Sequence, residues 1–94
     1  MHQLPIPDSA AADQDARQVL SIWSTNEGTQ VALDPWIYDD PGCWGLLLAD
    51  LVKHVARAYE ASTGADSIRV VARVRELFDA EWEHPTDTPT GGLE

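Results

Sequence analysis

Trp44, Leu47, Leu48, Leu51, Val55, Ala58, Tyr59 and Ser62 recur every three or four residues. A helix turns that period into one broad stripe, whereas a strand would scatter it over both faces. With Lys53, Ala49 and Glu60 opposite, the spacing predicts a helix over about residues 41–62. Asp40-Pro41 marks its start: the carboxylate accepts from first-turn N–H groups, and proline at the first helical position loses no hydrogen bond. Gly64 supplies the stop. Asp66 caps a second helix whose stripe is Val70, Val71, Val74, Leu77, Phe78 and Trp82. Because only residues 63–66 join them, the two helices should pack antiparallel.

Upstream, RQVLSIWST and TQVAL flank Asn26-Glu27-Gly28, and flanks rich in β-branched and apolar residues read as a β-hairpin. A three-residue loop ending in Gly28 suits a type I turn whose last residue takes positive φ. Thr25 then pairs with Thr29. Trp23 faces Val31 and Ser21 faces Leu33 on one side, while Ile22 faces Ala32 and Leu20 faces Asp34 on the other. Asp34-Pro35 starts a single turn over residues 35–38 that carries the chain off the strand. The expected fold is α+β in the order β-β-α-α, a hairpin packed on an antiparallel pair of helices. Val19, Trp23, Val31 and Leu33 would face the helices, leaving Leu20, Ile22 and Ala32 outward, with Trp36 in the connector.

The ends of the chain lack this patterning. Residues 1–16 hold prolines, aspartates and an alanine run with no apolar period, and read as a mobile tail with a short helical turn near residues 10–16. HPTDTPTGGLE, residues 84–94, reads as a second mobile tail, and Leu93-Glu94 after Gly91-Gly92 as a vector-derived end. That leaves one domain, residues 17–83, and a small one buries its surface incompletely. Six lysines and arginines against sixteen aspartates and glutamates give −10, which disfavours nucleic acid and anionic lipid as partners. Leu46 to Ala49 is the longest apolar run, far short of the roughly 20 residues that cross a bilayer. With no basic-then-apolar leader and a single cysteine, the expectation is a cytoplasmic protein in a reducing compartment.

The hairpin followed by ALDPWIYDDPGCWGLLLADLVKHVARAYE resembles a family of short bacterial proteins, best known in alphaproteobacteria and catalogued as a domain of unknown function. The resemblance covers about residues 17–82, is most specific in WGLLLADLVKHVARAY, and implies no activity and no catalytic residues.

Several residues invite a chemical reading. Cys43 in a first helical turn sits where the helix dipole favours thiolate, but Asp39 and Asp40 beside it oppose that, and a small inert hydrophobe is the simpler role. Asp50 and His54 are four apart and could act as an acid/base pair or half a metal site. His2 and His84 belong to the tails and complete no ligand set, so a boundary ion pair is expected, with no metal or cofactor. Lys53, Arg57, Arg69, Arg73 and Arg75 interleave with acids, including Arg75 and Asp79 at i,i+4, as in a solvated helix surface. Glu81 projects onto the second stripe but falls in the last turn, where it should meet solvent. Trp23, Trp36, Trp44 and Trp82 read as core, Trp36 as the most exposed. These features point to a non-enzymatic interaction module that forms a homodimer through Leu20, Ile22, Ala32 and Trp36. The alternatives are an adaptor whose acidic surface draws a basic protein or peptide, and a small enzyme or thiol protein using Cys43 or Asp50 and His54.

Overall fold

A computed structural model describes residues 3–86. Its elements are α1 (Asp8–Ala12), β1 (Leu20–Thr25), β2 (Gly28–Leu33), α2 (Cys43–Thr63) and α3 (Ser67–Glu83). The α+β order β-β-α-α is therefore as expected, preceded by one short helix. The sequence reading of Gly91-Gly92 and Leu93-Glu94 lies outside the described residues. Two compact units result: residues 3–37 carry α1 and the hairpin, and residues 38–86 carry α2 and α3.

The helical turn expected near residues 10–16 lies earlier. Pro7 offers its carbonyl to Ala11 N at 3.0 Å and opens the turn, while the Asp13 carboxylate accepts from Asp15 N at 2.8 Å. That local bond competes with a continuing helix, so α1 stops at Ala12.

The hairpin closes over two residues, Asn26 and Glu27, one fewer than expected. Gly28 does take positive φ, 111°, but it is already the first residue of β2 and pairs with Thr25. Thr25 makes this possible, since its hydroxyl donates to the Gly28 carbonyl at 2.9 Å and accepts from Glu27 N at 3.1 Å. The register is therefore Leu20 with Leu33, Ser21 with Ala32, Ile22 with Val31, Trp23 with Gln30 and Ser24 with Thr29. A slip of one residue sends every side chain of one strand to the other face relative to its partners. At the open end Asp34 N donates to the Val19 carbonyl at 3.0 Å, and Arg17 pairs with the Asp34 carboxylate at 3.3 Å. The same carboxylate accepts from Trp36 N at 2.9 Å, which turns the chain at Pro35 and Trp36.

α2 begins at Cys43, two residues later than predicted. Cys43, Trp44 and Gly45 donate to the carbonyls of Asp40, Pro41 and Gly42 at 3.0, 3.1 and 2.9 Å, three-residue spacings that wind the lead-in more tightly than an α-helix. Asp40 accepts from Gly42 N at 2.8 Å, so it closes that lead-in turn. At the other end Gly64 takes φ 75° and donates to the Glu60 carbonyl, a left-handed stop that only glycine adopts freely. Asp66 then caps α3 by accepting from Ile68 N at 2.9 Å, a bond worth about 1 kcal/mol.

Ala56 marks the seam between the helices. At 2% exposure it is the one buried hydrophobic residue among those described, with Val52 and Val55 on α2 and Val70, Val71 and Val74 on α3 half-buried. Ala56 lies about 100° round from Val55. α3 therefore covers the edge of the α2 stripe and not its centre, and Leu48, Leu51 and Tyr59 remain 44%, 42% and 54% exposed.

Candidate interaction surface

Side chains alternate along each strand, so the observed register gathers Leu20, Ile22, Val31 and Leu33 on one face of the hairpin. Leu20 is half-buried, while Ile22, Val31 and Leu33 are exposed, Ile22 by 54%. The two other positions on this face are Ser24 and Thr29, so it carries no charge. The predicted outward set is thereby redrawn. Leu20 and Ile22 are brought together, Val31 and Leu33 join them, and Ala32 moves to the opposite face, across from Ser21. Trp36, in the turn that follows, is 87% exposed. A three-residue loop puts Val31 and Leu33 on the side of Trp23, expected to face the helices; the two-residue loop makes the alternation of β1 and β2 coincide and sets them beside Ile22 and Leu20.

A second apolar face belongs to the helix pair. With Ala56 turned toward α3, helical rotation sends Leu48, Leu51 and Val55 to one side of the pair and Lys53 and Arg57 to the other. Lys53, Ala56 and Arg57 line one shallow depression with Ser67, Ile68 and Val71, which places that side of α3. Its other side carries Leu77, whereas Phe78, seven residues after Val71, lies on the side of the depression; both are 54% exposed. Leu48, Leu51 and Leu77 are exposed apolar side chains on the side of the helices away from that depression. Trp82, read from the sequence as core, is 74% exposed and meets Phe78 edge to face with centroids 6.0 Å apart, because α2 does not cover this end of the α3 stripe. Trp44 is half-buried against Tyr38 at 5.5 Å, and Trp23 is half-buried on the hairpin's other face.

The residues singled out for chemistry stay apart. His54 Nε2 lies 3.3 Å from the Asp50 carboxylate, with both side chains 64% exposed, a solvated i,i+4 pair. Cys43 is free and half-buried. The Glu81 carboxylate accepts from the backbone N and the hydroxyl of Thr86 at 2.6 and 2.8 Å, so it ties down the chain leaving α3 while remaining exposed, as expected for a last-turn residue. On α3 the ion pairs are Arg69 with Asp66 and Arg73 with Glu76, at i,i+3 spacing, in place of the predicted pairing of Arg75 with Asp79. Among the described residues no three His, Cys, Asp or Glu side chains converge to hold a metal, and His2 lies outside them. No described helix is long and apolar enough to cross a membrane.

Comparison with known proteins matches residues 3–86 to the model of the family described as "Domain of unknown function (DUF5076)". Among solved structures, the chain is similar to one from the photosynthetic bacterium Rhodopseudomonas palustrus, described as a "putative pyruvate dehydrogenase". The two are 33% identical, the match covers 96% of this chain and 92% of that one, and the TM-score is 0.71. No curated protein matches.

Proposed function

The chain belongs to the DUF5076 family, and from that premise we propose that it is a non-enzymatic protein-interaction module that assembles with a second copy of itself through its apolar faces. One observation supports the reading above the others. Among the described residues a single hydrophobic side chain, Ala56, is buried, while fourteen large ones are exposed. Fully burying a Val, Leu, Ile, Phe or Met side chain stabilises by about 1.5–3 kcal/mol, so the isolated chain leaves most of its driving force unused. Scattered exposed hydrophobics are ordinary, but contiguous ones mark contact surfaces, and here Ile22, Val31 and Leu33 share one face of the hairpin and Leu48, Leu51 and Tyr59 one side of α2. A two-stranded ribbon is also marginal without a partner layer and leaves two open edges. A twofold dimer is the commonest closed solution.

Sedimentation of the wild-type chain across a concentration series tests this. The expected result is a species of twice 10.3 kDa that persists into the low micromolar range. A single-chain mass at high micromolar concentration would remove the reading.

A further inference from the structure

We draw no further inference here: the strongest candidate, the shallow depression between α2 and α3 that Lys53, Arg57, Ser67 and Ile68 line, lies open on an exposed helix surface, and nothing in the structure shows what covers it.

Discussion

The hairpin and the helix pair are held together by different means. The helix pair contains its own seam, with Ala56 buried and both ends of its connection capped, at Gly64 by a left-handed residue and at Asp66 by a carboxylate. The hairpin has no buried side chain. Its conformation rests on the backbone ladder, the Thr25 hydroxyl in the turn and the Arg17–Asp34 pair at the open end. Exposed bonds and ion pairs of this kind contribute little. One region has a packed seam of its own, narrow as it is. The other presents four apolar side chains on a single face with no packed seam beneath them.

That contrast is broken most severely by Ile22→Lys. A lysine on the hairpin face removes about 1.5–3 kcal/mol of burial and adds the cost of a desolvated charge. The expected outcome is at least about a hundredfold weaker self-association by sedimentation, with the helical signal of α2 and α3 largely kept. Full loss of that signal would show that the helix pair is not the more autonomous unit. Next in size is Gly64→Ala, which forces a side chain into left-handed backbone at φ 75° and should cost about 1–2 kcal/mol in the helix pair, measured by urea unfolding.

Asp66→Ala and Asp40→Ala sharpen the same region from within. Asp66 accepts from the first turn of α3 itself, and its loss should cost about 1 kcal/mol. Asp40 braces only the lead-in turn, so its loss should fall near about 0.5 kcal/mol, the low end for caps. Equal unfolding midpoints for the two variants would contradict the later start of α2. The smallest effect is expected from Ala32→Lys. Because Ala32 lies across from Ser21 on the face away from Ile22, association should be unchanged. Dissociation as complete as that of Ile22→Lys would show that the three-residue loop was the correct one.

Local interactions made much of this protein legible in its residues. The α2 stripe, the Gly64 stop, the Asp66 cap and the turn at Asp34-Pro35 each depend on neighbours within about four positions, and each stands where the spacing put it, with α2 starting two residues late. Asp50 with His54, and Glu81 in the last turn, were readable for the same reason. The element order follows from these signals alone.

What the residues could not decide was non-local. Whether Ala32 or Val31 faces Ile22 turns on one residue of loop length, settled by the Thr25 hydroxyl bonding across to Gly28. Periodicity marks an apolar arc of α2 but not which part of it α3 will cover; a small side chain, Ala56, lets the helices approach at the edge of the arc. Composition and period set which surfaces are apolar. Only the pairing of distant segments determines which of them are buried, because each pairing fixes the orientation of every side chain along it at once.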